Sequence, residues 1–286
     1  MTSHVSQRAE GSPLLDNIQT SMHLEKDTKF EKQAYRLKRC GTDFNVFMCN
    51  CGFKKVRKRC NYRICHYCGK IRSFKAFEQF IGPLKKRKIA RSIYDSGLRF
   101  VTFTIKNQEE LVGAMDKLYE SLKKFRRRKY FKKLSAGLGS IDVTRDENGL
   151  WHVHTHMIID SSFLDMKSHK KTGQDSELVR EWKECTGGDG IVYVERVRTH
   201  ESALGYTLKY LTKGLTNLTS EERAIFFKKT LGRRFIFTFK EFYGIKVIKK
   251  KYLCPECGSS RQYIFPNSEE YNLFLGKDPF YSPPRK

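Results

Sequence analysis

The feature that most constrains the fold is a run of alternating histidines in residues 151–160, WHVHTHMIID. His152, His154 and His156 occupy every second position of this segment. Because side chains alternate between the two faces of a β-strand, we expect all three imidazoles on one face and Val153 on the other. Imidazoles projected together from a rigid strand are typical of a divalent-metal site or a phosphate-handling site. The alternative is a polar strand face without a chemical role.

The charge of the chain indicates its class of partner. The 286 residues contain 56 Lys and Arg against 31 Asp and Glu, a formal net charge of +25, and such a surface repels itself unless a polyanion covers it. We therefore expect a nucleic-acid partner. There is no long apolar run or amphipathic anchor, so no membrane partner is predicted. The polar start of the chain lacks the apolar core of a signal peptide, and we expect a cytoplasmic, intracellular protein.

In an intracellular protein, nine cysteines are more often metal ligands than disulfide partners. Two CxxC pairs are each followed by glycine, as in zinc knuckles: Cys65 with Cys68, and Cys254 with Cys257. Cys185 is interpreted as a core residue. The remaining eight cysteines are enough for one or two structural zinc sites, and some of them could instead be ordinary buried thiols. One pairing, among others left open, joins Cys49 and Cys51 to Cys65 and Cys68, and Cys40 and Cys60 to Cys254 and Cys257.

Periodicity and turn residues predict a coarse order of elements. The order is a short helix over 26–38, a basic helix over 70–92 broken at Pro83, a strand over 99–107, one long helix over 108–134, strands over 140–145 and 151–160 joined by a turn, a helix over 177–184, a strand over 190–197, a helix over 199–213, and strands over 235–239 and 245–252. Asp142 lies on the strand before the histidines. Whether it shares their face depends on the register of the hairpin, which the sequence does not determine.

The predicted domains are a flexible tail over 1–35, a Cys-rich zinc-binding module with its basic helix over 36–92, a catalytic domain over 93–225, and C-terminal strands with the second knuckle over 226–286. The end of the long helix is densely basic, which favours a DNA-backbone contact over a merely solvated face. The residues predicted to make this contact are Arg126, Arg127, Arg128 and Lys129.

The helix predicted over 199–213 contains Tyr206, Tyr210 and Lys213 at helical spacing, so the three share one face. Lys209 and Lys213 each follow a tyrosine by three residues. A tyrosine pair at this spacing is usually core packing, but the paired lysines and the basic context favour a function. A tyrosine phenolate can attack a DNA phosphodiester and hold the strand covalently.

The motifs FVTFTIKN, IDVTRD, WHVHTHMII and YTLKYLTK, in this order, resemble those of the HUH endonucleases, specifically the rolling-circle replication initiators (Rep) of plasmid or virus type. The resemblance covers about residues 40–215. It implies an α+β fold with a central antiparallel β-sheet and flanking helices, beside the Cys-rich module. It also implies nicking of single-stranded or hairpin origin DNA, a 5′-phosphotyrosine link, a free 3′-OH that primes replication, and later rejoining of the strand. Without a helicase domain of its own, such an initiator would recruit a host helicase and polymerase.

Matching the family motifs residue by residue assigns a Mg²⁺ or Mn²⁺ site to His154, His156 and Asp142. Thr155 stands where the family has a bulky apolar residue, which leaves His152 and His154 as an alternative pair.

The same comparison assigns Tyr210 as the first nucleophile and Tyr206 as the second, with Lys209 and Lys213 beside them. Three other functions remain open. They are a single-strand transposase of the same chemistry, a HIT-type nucleotide hydrolase with a histidine nucleophile, and a non-catalytic zinc-dependent nucleic-acid-binding protein.

Overall fold

The computed structural model describes residues 13–86, 98–134, 136–160, 176–196, 215, 217–240, 242–244, 253–254, 256–260 and 262–264. The helices are α1 (Pro13–Glu25), α2 (Glu31–Lys38), α3 (His66–Lys86), α4 (Leu111–Arg126), α5 (Lys129–Lys133), α6 (Glu177–Thr186) and α7 (Ser220–Thr230), with a 3-10 turn at Thr28–Phe30. The strands are β1 (Phe44–Cys49), β2 (Gly52–Arg57), β3 (Leu98–Thr104), β4 (Ala136–Arg145), β5 (Trp151–Asp160), β6 (Ile191–Arg196), β7 (Ile236–Lys240) and β8 (Gln262–Ile264).

Five strands form the central sheet in the order β6-β3-β5-β4-β7, and all its neighbours are antiparallel. The histidine strand β5 is the middle one, hydrogen bonded along its length to β4 and along seven residues to β3. A strand paired on both sides is held rigidly, because its backbone groups are satisfied within the sheet. The predicted α+β class with a central antiparallel sheet is confirmed.

One face of this sheet is apolar and is covered by α4 and α6. Phe103 of β3 packs against Phe125 of α4 and Trp182 of α6, with ring centroids 5.3 and 4.9 Å apart. Val153 and Met157 of the histidine strand are buried on the same face. The apolar stripe predicted for the long helix is buried as expected: Leu111, Met115, Leu118, Leu122 and Phe125.

Edge strand β7 packs closely on β4 because two glycines leave room for its phenylalanines. Gly137 lies opposite Phe239 and Gly139 opposite Phe237. A Cβ on either glycine would overlap the facing ring. The small residues of β4 therefore set how closely β7 approaches the sheet.

The prediction of one helix over 108–134 is wrong. Arg128 has φ −72° and ψ 154°, an extended conformation that separates α4 from α5. The break turns α5 back, so that Phe131 contacts both Phe125 of α4 and Phe239 of β7. The continuous basic sequence had no glycine or proline to mark this break.

The prediction of a flexible tail over 1–35 is wrong for α1, while residues 1–12 lie outside the described part of the chain. The short helix predicted over 26–38 corresponds to the 3-10 turn and α2. Helix α1 packs between α2 and α7, and its Leu24 is fully buried. Asp16 of α1 forms an ion pair with Arg223 of α7, with 3.1 Å between Oδ2 and Nη2. The contact face of α1 is mostly polar, including Asn17, and hence has no hydrophobic period to detect.

Two further boundaries differ from the prediction. Helix α3 continues through Pro83 to Lys86, so the predicted break at this proline is wrong. Helix α7 was not predicted, although Thr219 and Glu222 form a capping box at its start. The predicted domain boundary at residue 225 falls inside α7, and β7 beyond it belongs to the central sheet.

A second, three-stranded sheet has the order β2-β1-β8. It joins the N-terminal hairpin of β1 and β2 to a strand some 200 residues later in the chain. Val46 is buried in a small apolar cluster of its own, with Phe44, Met48 and Phe53 around it. Within the described residues, no helix has the length and apolar character needed to cross a membrane.

Candidate functional site

The hairpin of β4 and β5 builds the candidate site, and its turn determines the register. Asp146 Oδ1 accepts backbone N–H groups from Asn148 and Leu150 at 3.0 and 2.8 Å. Its Oδ2 accepts from the side chain of Asn107 at 2.7 Å, and Gly149 takes the positive φ of 75° that the turn requires. Hydrogen bonds to its carboxylate, first that of Leu150, lower the pKa of Asp146.

This register places Asp142 directly opposite His154, and cross-strand partners point to the same face. Asp142, His154 and His156 are all buried, and one ligand atom from each lies within 4.8 Å of the others. Asp142 Oδ2 is 3.5 Å from His154 Nε2. The question that the sequence left open, whether the carboxylate shares the histidine face, is thereby answered.

Neighbouring groups orient these side chains. Asp142 Oδ1 accepts the backbone N–H of Val143 at 2.9 Å. The hydroxyl of Thr102 on β3 is hydrogen bonded to His156 Nδ1 at 3.0 Å, and Phe100 stacks on the same imidazole at 5.4 Å. A bond at Nδ1 makes Nε2 the ring nitrogen that can ligate an ion. Thr102 and Phe100 were not predicted as site residues, although their alternation along β3 places both on one face.

Burial favours the neutral form of His152 and His154, which is the form that binds metals. Desolvation lowers the pKa of His154 to about 4. The pKa of His152 is also lowered, first by desolvation and then by the charge of His154. His154 Nδ1 is buried without a hydrogen-bond partner among the described residues. The donor set of two imidazoles and one carboxylate fits Mg²⁺ or Mn²⁺, with imidazole favouring Mn²⁺.

His152 and Thr155 behave differently from the trio. His152 stacks on His154 with 4.5 Å between ring centroids, but it is outside the group of ligand atoms found among the described residues. Thr155 is fully buried on the opposite face, where its hydroxyl donates to the Ser140 carbonyl at 3.0 Å. A polar residue is tolerated between the histidines because this bond satisfies it.

Arg63 connects the candidate site to the cysteine-rich segment and was not predicted. Its Nη2 donates to the carbonyl of Ile141, the residue before Asp142, at 3.0 Å. Its guanidinium lies 3.7 Å from the centre of the Phe235 ring. Desolvation lowers the pKa of Arg63 to about 9, and the nearby charge of Asp142 opposes this shift.

The remaining predicted site residues fall into two groups. Tyr206, Lys209, Tyr210 and Lys213 lie outside the described residues. The basic group Arg126, Arg127, Arg128 and Lys129 lies at the junction of α4 and α5, on the helix-covered side of the sheet. There Arg126 lies over the Phe237 ring at 5.4 Å, and Arg128 forms an ion pair with Glu184 at 2.9 Å. Their contact with DNA stays a prediction.

Four cysteines form a buried cluster at the start of α3: Cys40, Cys60, Cys65 and Cys68. Each sulfur accepts one backbone N–H, from Cys60, Tyr62, Cys68 and Asn61 respectively, at 3.3–3.4 Å. The Asn17 amide donates to Cys65 Sγ at 3.3 Å. Four thiols with this hydrogen bonding fit the ligand set of a structural zinc site.

A second cluster lies at the edge of the smaller sheet: Cys49, Cys51, Cys254 and Cys257. The hydroxyl of Ser259, 3.0 Å from Cys257 Sγ, contributes most to lowering the pKa of that thiol to about 6. Lys54 and Glu256 form an ion pair across the cluster at 2.6 Å.

The pairing considered from the sequence is wrong, because Cys49 and Cys51 group with Cys254 and Cys257, whereas Cys65 and Cys68 group with Cys40 and Cys60. Cys185, predicted as a core residue, is buried in α6.

Fold and site together define an α+β protein whose antiparallel sheet presents a candidate divalent-metal centre on one face. Two cysteine clusters able to hold zinc stand beside it.

The chain belongs to the family of replication proteins, because the family model described as "Replication protein" matches residues 53–244. The match includes the histidine strand and the segment with Tyr206 and Tyr210. The chain is also similar to "Protein rep" of Lentilactobacillus hilgardii, with 26% identity over 230 residues, 73% of this chain and 70% of the relative. No solved structure matches it significantly. The resemblance to Rep proteins is thus confirmed.

Proposed function

We propose that this replication protein initiates rolling-circle replication by nicking one strand at an origin through tyrosine attack, and later rejoins that strand. The observation that carries the proposal is the trio of Asp142, His154 and His156, whose ligand atoms lie within 4.8 Å of one another on the polar face of the sheet. Family membership supports the replication role. A bound Mg²⁺ or Mn²⁺ would act as a Lewis acid at the scissile phosphate.

The residues of the chain supply the other parts of the reaction. Tyr210 is the proposed first nucleophile. Its phenolic oxygen forms a bond to phosphorus while the bond from phosphorus to the 3′-oxygen breaks, and the phenolic proton ends on the released 3′-OH. The product is a 5′-phosphotyrosine. No water is consumed, so the phosphodiester energy is conserved and the strand can be rejoined by Tyr206 or by reversal. Lys209 and Lys213 are proposed to stabilise the phenolate and the phosphate.

The geometry supports this reading over the hydrolase alternative. A HIT-type enzyme needs a reactive histidine facing its substrate, whereas His154 here is buried beside a carboxylate and shares a ligand set with His156. The alternative of a non-catalytic, zinc-dependent nucleic-acid-binding protein does not explain why Asp142, His154 and His156 are buried together. The two cysteine clusters are proposed to hold structural zinc, and a host helicase and polymerase are the proposed partners.

The test is covalent capture of labelled single-stranded origin DNA in the presence of Mn²⁺, read as an SDS-resistant protein–DNA band. We expect the band in wild-type protein, its loss in Tyr210→Phe and in His154→Gln, and its loss without Mn²⁺. Peptide mass mapping then identifies the linked tyrosine. Full adduct yield in Tyr210→Phe would show that Tyr206 makes the first attack. An adduct that forms equally without metal would contradict the proposed role of Asp142, His154 and His156.

A further inference from the structure

A basic groove lies between α2 and the β1–β2 hairpin. It is at the end of the hairpin where β1 begins and β2 ends. Its cavity volume is about 350 Å³. The residues that define this basic groove are Tyr35, Arg36, Arg39, Asp43, Lys58 and Arg59.

The groove has an excess of positive charge. Four of its side chains are cationic and one is a carboxylate, which leaves a formal charge of +3. Asp43 is engaged by Arg39, with 2.9 Å between Oδ2 and Nε. Lys58 and Arg59 are exposed, and neither has an ion-pair partner in the described part of the chain. Such unneutralised cations around a cavity match an anionic ligand.

Two aromatic rings, that of Tyr35 in the groove and that of Tyr62 outside it, contact guanidinium groups of the groove. The Arg39 guanidinium lies 5.5 Å from the centre of the Tyr35 ring, and that of Arg36 lies 5.4 Å from the centre of the Tyr62 ring. Cation–π contacts of this kind orient the charges, and each covers one face of its ring. Both guanidinium groups are thereby held at the groove, where they can contact phosphate oxygens.

The backbone around the groove is fixed. Lys58 N donates to the Asp43 carbonyl at 2.7 Å, and Gly41 N donates to the Lys58 carbonyl at 3.0 Å. Cys40 and Cys60, which flank these bonds in sequence, belong to the buried cysteine cluster. The cationic side chains thus stand on a preformed support, which reduces the entropy lost on binding.

We propose that the basic groove binds the phosphate backbone of duplex DNA, as a contact separate from the histidine face. A duplex carries one charge per about 1.7 Å of its axis, twice the density of one strand, so it best matches several cations grouped around one cavity. The contact is independent of base sequence. It holds the protein on DNA whether or not the tyrosine chemistry takes place.

The experiment measures binding of a fluorescent duplex by anisotropy over a KCl series, with full-length, zinc-loaded protein and no added Mg²⁺ or Mn²⁺. The variants are Lys58→Ala, Arg59→Ala and the double variant. Lys38→Ala is the matched control, because Lys38 is an exposed cation of α2 outside the groove, 3.9 Å from Glu25. Thermal melting and zinc content show whether each variant is folded.

Each groove substitution should weaken duplex binding equally for unrelated sequences and reduce the slope of log K against log [salt] by about 0.9. In the double variant the slope should be reduced by about twice this amount. Lys38→Ala should keep the wild-type slope. A wild-type slope in the folded double variant overturns the proposal. The proposal is also overturned if the groove substitutions weaken binding of a single-stranded probe but not of the duplex. The groove would then contact the single strand. Covalent capture of a short single strand, measured in parallel, should be unchanged in the groove variants, so that failure of the nicking reaction is recognised separately.

Discussion

His154 should make the stability of the protein depend on pH in a direction and size that its burial determines. Its pKa is lowered from 6.5 to about 4 by desolvation in the folded state. Below about pH 6.5 the unfolded chain binds a proton that the folded protein does not, so stability falls as the pH falls. Above pH 6.5 neither state is protonated there and the effect vanishes.

The magnitude follows from the two pKa values. A difference of about 2.5 units corresponds to about 3 kcal/mol when the pH is below both values. Between about pH 7.5 and pH 5, about 2 kcal/mol of this should be lost.

The assay is urea unfolding at several pH values without added Mg²⁺ or Mn²⁺, for wild type and for His154→Gln, whose amide does not titrate. Carboxylates, His152 and the cysteine clusters contribute to both proteins and largely cancel in the difference. We expect the wild type to lose about 2 kcal/mol more than the variant over this range. Parallel pH dependences in the two proteins would refute the claim that the fold holds His154 neutral.

Three further perturbations test the surroundings of the site. Gly137→Ala should destabilise the protein by about 1–3 kcal/mol, because the added Cβ overlaps the Phe239 ring, and urea unfolding measures this loss; an unchanged midpoint would contradict the packing of β7. Thr102→Val should weaken Mn²⁺ binding by about 10–100-fold in calorimetry by removing the bond to His156, with unfolding as the control for stability; wild-type affinity would exclude an orienting role. Cys65→Ala should remove one zinc equivalent by elemental analysis and lower the melting temperature, and retention of both equivalents would contradict the buried site.

The histidine strand was predictable because a period of two is visible in the sequence itself. Val153 and Met157 are buried on one face and His154 on the other, as alternation requires. The register that sets Asp142 against His154 was not predictable, since it depends on the length and hydrogen bonding of the turn at Asp146.

Tertiary contacts account for the other differences. Helix α1 was missed because Asn17, Thr20 and Ser21 are among its buried residues, and polar residues give no hydrophobic period. The grouping of the cysteines depends on where a hairpin turn and a helix start come to lie in space. For cysteines as far apart in the chain as Cys51 and Cys254, sequence spacing does not indicate that they belong to one cluster.

The position of Arg63 explains why a cysteine-rich segment accompanies this sheet. Strand β7 pairs with β4 only as far as Ser140, and beyond that point the β4 edge needs other partners. Phe235 supplies a carbonyl to Ile141 N, and Arg63 supplies a donor to the Ile141 carbonyl. Arg63 lies between Cys60 and Cys65, so the buried cysteine cluster determines where its guanidinium stands. The buried cysteine cluster therefore helps to position the backbone just before Asp142 of the candidate metal centre. Disrupting the cluster should make this part of β4 less ordered.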